Sequence, residues 1–280
     1  MATIQSLKSR IESIKKTAAI TKAMHRIAAS KLNSTQNLLQ RYRFFESELN
    51  KVITEVTNQI QDHQLLTTKI ATKKLYILIT SDRGLAGGYH QQLFNAFLQR
   101  VSGIPKSEFS LLVIGKKGFY FAQKNGFEVI NTEVISNRDQ LSVINYTQYI
   151  DIIEQLFLTG KIQDVTLVYN HFINALKQEV TFETLLPIKI QPLEQNIDRD
   201  FLYEGEPAQI LENLIIIYLQ SRIYGVMVDA KLSEFSSRIV AMKQATDNSN
   251  EVLSVLQLQY HQARQQKITS DLLDIANGKQ

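Results

Sequence analysis

The chain has 280 residues, 44% of them hydrophobic and 21% charged, which describes a folded globular protein with one large or two average domains. It contains no cysteine, so disulfides, thiolate catalysis and cysteine metal sites are excluded, and its five histidines form no HxxH or HExxH spacing. The formal charge of +4 is uneven: residues 1–45 hold nine Lys or Arg against Glu12 alone, which makes them +8 and leaves −4 for the rest. Such a segment is either a solvated helix face or a docking surface for something acidic: a protein, a membrane surface or nucleic acid. The longest apolar run, Leu214–Leu219, is far below the ~20 residues of a membrane span.

The first glycine is Gly84 and the first proline Pro105. Ahead of them apolar residues step by three and four through Ile4, Leu7, Ile11, Ile14 and Ala18. The pattern blurs near Thr21 and resumes at Leu39, Tyr42, Phe45, Leu49, Val52, Val56 and Ile60. This predicts a single helix of roughly fifty-five residues, about 80 Å long, whose narrow stripe suits a coiled-coil seam. A basic, acid-poor N-terminus also suits a transit peptide, but periodicity that begins at Ile4 and runs on without a break argues against one.

The middle of the chain changes rhythm. Leu75–Thr80, Ser110–Gly115, Val165–Tyr169 and Val180–Pro187 read as strands, with helical patterns over His90–Val101 and Lys116–Asn125. Strands alternating with helices predict an α/β domain, Rossmann-like, with a mainly parallel sheet. Gln191–Pro207 reads as a linker, and from Val226 to Asn277 there is neither Gly nor Pro. A second stripe there runs Leu232, Phe235, Ile239, Met242, Ala245, Val252, Leu256, Tyr260 and Ala263. Two long helices at opposite ends pair only antiparallel, so Ile11 or Ile14 is expected near Leu256 or Tyr260. The fold class is therefore α+β: a coiled coil from residues 1–62 and 207–280, with an α/β foot over 70–195.

Ser81-Asp82-Arg83-Gly84-Leu85-Ala86-Gly87-Gly88 follows a strand and opens a helix, where α/β folds bind phosphate. Its G-x-x-G-G spacing is neither the dinucleotide nor the P-loop pattern. A tight structural turn at Gly84, Gly87 and Gly88 is the default reading, and no cofactor or metal is expected. The Gly115-Lys116-Lys117-Gly118 turn is a weaker signal still. No nucleophile, base or carboxylate pair completes a catalytic site around Asp82 and Arg83.

Several blocks are specific. Ile14-Lys15-Lys16-Thr17, Ile20–Met24 and Ala28–Leu32 follow IKxTxxITKAMxxxAAxKL, and the central SDRGLAGG carries Ala86 where a related pattern has Cys. Arg238–Asn250 (RIVAMKQATDNSN) and Tyr260–Thr269 (YHQARQQKIT) complete the set. In order and nearly end to end, these blocks resemble the gamma subunit family of the F-type ATP synthase. Departures are Phe235 and Ile239, where the family often has His and Met, and the tail Ser270–Ala276.

That resemblance implies a central rotor shaft coupling ion translocation to ATP synthesis, with catalysis in the beta subunits and none in this chain. Implied partners are the alpha and beta subunits, the epsilon subunit and the ring of c subunits, at the cytoplasmic face of a bacterial cell membrane. Lys15, Lys16, Lys22, Met24, Arg26, Arg238, Arg264, Gln265 and Thr269 match positions of the coupling region, with seam packing the plain alternative for Met24. The competing readings are a basic coiled coil that binds nucleic acid and a nucleotide-using enzyme. The first predicts aromatic or Arg-rich loops beside the charges, and the second phosphate-holding partners at the Gly-rich turn.

Overall fold

A computed structural model describes residues 3–59, 64–67, 71, 73–137, 144–188 and 207–277. Five α-helices, one short 3-10 turn (Lys106–Glu108) and four strands are described, the helices and strands in the order α1 (Ile4–Gln59), β1 (Lys74–Ile79), α2 (Tyr89–Arg100), β2 (Phe109–Ile114), α3 (Lys116–Lys124), α4 (Ile144–Leu158), β3 (Val165–Phe172), β4 (Gln178–Leu186) and α5 (Pro207–Asn277). The chain divides into two compact units, one of residues 1–30 with 238–280, the other of residues 31–237. Of the linker expected over Gln191–Pro207, only Pro207 is described, and it opens α5.

The first unit is an antiparallel pair of helical segments. Leu7, Ile11 and Leu256 are buried together, with Ile14, Leu253, Tyr260 and Ala263 packed against them. This is the contact expected between the stripe at Ile11 and Ile14 and that at Leu256 and Tyr260. Farther along, the Thr21 and Thr246 hydroxyls lie 2.7 Å apart, so the seam continues through the region where the apolar pattern blurs. On α5 the half-buried residue is Leu253, while Val252 is 45% exposed. The seam steps Thr246, Ser249, Leu253, Leu256, Tyr260, Ala263, and admits two small polar residues that an apolar pattern passes over. A sustained 3.5-residue period of this kind winds two helices into a left-handed supercoil.

The second unit is a three-layer α/β structure. Its sheet has the order β2-β1-β3-β4, with β1 parallel to β2 and β3, and β4 antiparallel to β3. Alternation along β1 decides the layers. Leu75, Ile77 and Ile79 face a core shared with Ile150, Ile153 and Phe157 of α4 and Leu211, Ile215, Leu219 and Ile223 of α5. Tyr76 and Leu78 face the other way, toward Leu93 and Phe97 of α2 and Phe119 of α3. Because both faces are covered, β1 is almost wholly buried and reads as a continuous apolar run. Helix α4 was not expected from sequence, although Ile150, Ile153 and Phe157 carry its three-and-four spacing.

Within this unit α1 packs on α5 through Leu39, Tyr42, Val228 and Leu232. The α1 stripe here runs Leu39, Tyr42, Glu46, Leu49, Ile53 and Val56, and Phe45, expected in it, is 50% exposed. A carboxylate holds the seam position because a guanidinium meets it, as described below.

Candidate functional site

Two places hold the residues singled out in the sequence, and a third gathers charged residues that were not. The first is the Gly-rich turn at the carboxyl end of β1. Thr80 donates its hydroxyl to the Ile114 carbonyl (2.9 Å) and accepts the Gly118 amide (2.9 Å). A Cβ on Gly115 would lie 2.4 Å from the Thr80 carbonyl oxygen, and one on Gly118 2.7 Å from Thr80 Cγ2. The modest Gly115–Gly118 signal is thus a tight clasp that seats the start of α3 against β1.

Asp82 completes the clasp. Its carboxylate accepts the Lys116 amide (3.0 Å) at the start of α3, the Ser136 hydroxyl (2.5 Å) and the Asn137 amide (3.2 Å). Burial works against its charge, but these bonds and the nearby Lys231 ammonium outweigh it and hold the carboxyl below its usual range. Lys231 is itself buried, donating to the Asn137 carbonyl (2.8 Å) and to Glu234 (2.8 Å). Ser81 donates to the Arg83 carbonyl (2.7 Å) and lies 2.8 Å from His90 Nε2. The turn's polar groups are therefore engaged with the protein itself, binding β1, α3 and α5 together.

Among the three turn glycines, Gly87 has a φ of 55°, while a Cβ on Gly84 or Gly88 would make only ordinary contacts. Leu85 also adopts a positive φ (60°) and is 63% exposed. That conformation is unusual for a branched residue.

The second place is the two-helix unit. Lys15, Lys16, Lys22 and Arg26 are exposed on α1, and Met24 is half-buried. A groove of about 520 Å³ runs beside the Thr21–Thr246 contact, lined by Ala18, Ala19, Lys22, His25, Lys243, Thr246, Asp247 and Asn250. Lys22 shares it with Lys243 and His25, while Lys15, Lys16 and Arg26 do not line it. Arg264, Gln265 and Thr269 are exposed on α5, where the Thr269 hydroxyl donates to the Gln265 carbonyl (3.0 Å). Gln265 and Thr269 share a shallow surface with Gln262, Gln266, Ser270 and Leu273. Arg238, in contrast to the other cations named from sequence, is buried.

The third place was missed by sequence reasoning. Where α1 and α5 meet the sheet in the α/β unit, charged side chains are drawn partly out of water. Arg222 of α5 pairs with Glu46 of α1 and with Glu183 of β4. The Tyr169 hydroxyl donates to Glu183 (3.0 Å). Two helical turns beyond Arg222, Asp229 meets His171 Nδ1 at 2.5 Å and accepts the Phe172 amide at 3.0 Å. Burial raises the Asp229 carboxyl despite these partners, and raises the Tyr42 phenol to about 12. The signal was present as charges inside apolar runs: Glu183 within VTFETLL and Asp229 and Lys231 within VMVDAKL. Among the described residues no group of His, Asp and Glu is arranged to hold a metal ion, and no helix is long and apolar enough to cross a membrane.

Comparison with known proteins bears on the chain as a whole. A family profile described as ATP synthase matches residues 3–280. The ATP synthase gamma chain of Exiguobacterium sibiricum is 34% identical over 282 residues, spanning 99% of this chain and 98% of that one. A chain of the Tetrahymena thermophila mitochondrial ATP synthase, from a structure of its central stalk and c-ring, superposes with a TM-score of 0.60 at 24% identity. The match covers 81% of this chain and 99% of that chain. A chain of the Euglena gracilis mitochondrial enzyme gives 0.62 at 18% identity, over 98% and 93%. At such identities these two structures speak to the fold alone.

Proposed function

The chain belongs to the gamma-chain family of the ATP synthase, whose members form the central rotor shaft of that complex, and from this premise we propose how this chain does so. It contributes no catalytic groups and acts as a mechanical coupler. Residues 1–62 and 207–280 make the shaft and 70–195 the foot. The shaft turns inside a hexamer of alpha and beta subunits, and the foot engages the epsilon subunit and the ring of c subunits. The protein is peripheral, at the cytoplasmic face of a bacterial membrane, held there through the membrane ring.

The observation that carries this reading is the full-length kinship together with a two-helix unit that exposes cations on α1 and a mixture of cationic and neutral polar side chains on α5. Lys15, Lys16, Lys22 and Arg26 offer diffuse attraction to acidic partner loops, with half-buried Met24 on the same helix and buried Arg238 on α5. Arg264, Gln265 and Thr269 offer hydrogen bonds that exchange as the shaft turns. Exposed pairs are each worth only ~0–1 kcal/mol, which suits guidance at a moving contact better than fixed attachment. The Gly-rich turn at Gly84, Gly87 and Gly88 is a structural corner, consistent with Thr80 and Asp82 being committed to internal bonds. The nucleic-acid alternative gains no support from the kinship.

Native mass spectrometry of the complex purified through this subunit tests the reading. Alpha, beta, epsilon and c subunits are expected at fixed stoichiometry. Recovery of nucleic acid or of the chain alone would refute it.

A further inference from the structure

We propose that Arg222 is the torque-bearing joint of the rotor, keying both long helices to the sheet so that rotation of the foot is delivered to the shaft. The proposal rests on the rotor reading above and adds a residue and a mechanism to it.

Arg222 sits on α5 and reaches two other elements, pairing with Glu46 of α1 and Glu183 of β4. All three side chains are largely withdrawn from water, at 22%, 18% and 26% exposure. One turn away, the Tyr42 ring of α1 fills the notch at Gly225, where a Cβ would stand 2.0 Å from ring carbons. That notch opposes sliding of α1 along α5. Two turns from Arg222, Asp229 is fixed to β3 by His171 and the Phe172 amide. Farther on, Ser236 donates to the Ala175 carbonyl (2.7 Å) and Ser237 to Gln178 (2.9 Å). Segment 222–237 of α5 is thus bonded along its length to the β3–β4 hairpin, and Arg222 carries the connection across to α1.

Stability does not explain this choice of residues. A buried ion cluster adds little net stability over apolar side chains of similar volume, because desolvation offsets the attraction. What it adds is direction. Apolar contact is non-directional, and packed helices shear past one another by small side-chain adjustments. The guanidinium is a planar fork that donates to Glu183 of β4 while its other arm is ion-paired with Glu46 of α1, so twist of α1 or α5 against β4 must separate paired charges.

The test uses the whole assembled ATP synthase carrying the triple variant Glu46→Leu, Glu183→Leu, Arg222→Met, or the single variant Arg222→Lys. The hexamer is anchored, and a bead fixed through Tyr120→Cys on α3 reports the angular fluctuation of the foot while the shaft is held. Melting temperature, and ions moved per ATP hydrolysed against a rising gradient, are measured on the same complexes. A triple variant that melts no lower than wild type, yet shows a broader angular distribution and a loss of ions per ATP under load, supports the joint. Arg222→Lys keeps the charge without the fork, folds as wild type, and is expected to lose stiffness in the same direction. It decides the matter if the triple variant does not assemble. If the wild-type complex rotates and both variants keep its angular width and pumping ratio, the joint is wrong and the rotor reading stands. If the wild-type complex neither rotates nor pumps, the rotor reading itself has failed.

Discussion

The Tyr42 ring stands where a Cβ on Gly225 would have to be: Cε1 and Cζ both lie 2.0 Å from that position. A glycine inside a helix costs about 0.5–1 kcal/mol relative to alanine, so its presence in α5 reflects this close approach and not flexibility.

Gly225→Ala is therefore expected to destabilise the chain although alanine is the better helix former. Overpacking a tight contact costs ~1–3 kcal/mol, which outweighs the propensity gain. The double variant Gly225→Ala, Tyr42→Leu should recover part of the loss by giving up the ring that clashes. Thermal unfolding of the three proteins checks this, and an alanine variant as stable as wild type would show that the notch is not filled.

This contact also shows what the sequence could and could not convey. The stripes at Leu7 and Ile11 and at Leu256 and Tyr260 were legible because apolar residues at three-and-four spacing mark the packed face of a helix, and no described helix is long and apolar enough to cross a membrane. The sheet was legible from short β-branched runs. The seam at Glu46, Thr21 and Thr246 was not, since a pattern of apolar residues skips polar ones and picks a neighbour such as Phe45 or Val252 instead. Nor was the joint at Arg222: Glu183 stands out as a charge in an apolar run, but Glu46 and Arg222 each resemble a surface charge and the three lie far apart in sequence. The family blocks located the collar without the physics of its surroundings, and Arg238 turns out buried among residues read as exposed contacts.

The clasp at the end of β1 carries a pH signature. Asp82 is held below the ordinary carboxyl range, so the unfolded chain binds its proton more readily than the folded one. Its contribution is present above the ordinary aspartate pKa of about 3.9 and is lost as pH falls through the lower folded value. Asp82→Asn should thus be less stable than wild type at neutral pH, and the gap between them should close as the solution is acidified through that window. Urea midpoints measured on both proteins across the acid range report the gap. A gap independent of pH would mean that the Asp82 charge is not what the Lys116, Ser136 and Asn137 donors hold.

The 2.7 Å approach of the Thr21 and Thr246 hydroxyls fixes the register of the two-helix unit. In a chain without native cysteine, Thr21→Cys with Thr246→Cys should form an intramolecular disulfide under mild oxidation. Ile20→Cys with Thr246→Cys should not, because Ile20 is 60% exposed and points away from the seam. Mobility on non-reducing gels separates the outcomes. Equal cross-linking of both pairs would mean that the register slips.

The last expectation concerns the exposed collar. Lys15, Lys16 and Lys22 stand in water, where attraction to an acidic partner is screened over about 8–10 Å at physiological salt. Three such contacts at ~0–1 kcal/mol each cannot hold a complex together, but they can bias which angular positions of the shaft are favoured. Replacing all three by Gln should leave the assembled complex intact while lowering ion-coupled ATP synthesis more than uncoupled hydrolysis. Met24→Lys should act in the same direction, since it puts charge and length on a half-buried side chain of α1. The assay is ions moved per ATP hydrolysed in membrane vesicles bearing each variant, and raising the salt should shrink the difference for the lysine variant but not for Met24→Lys. Wild-type ratios in both variants would leave the lysines as a solvated helix face and Met24 as a seam residue.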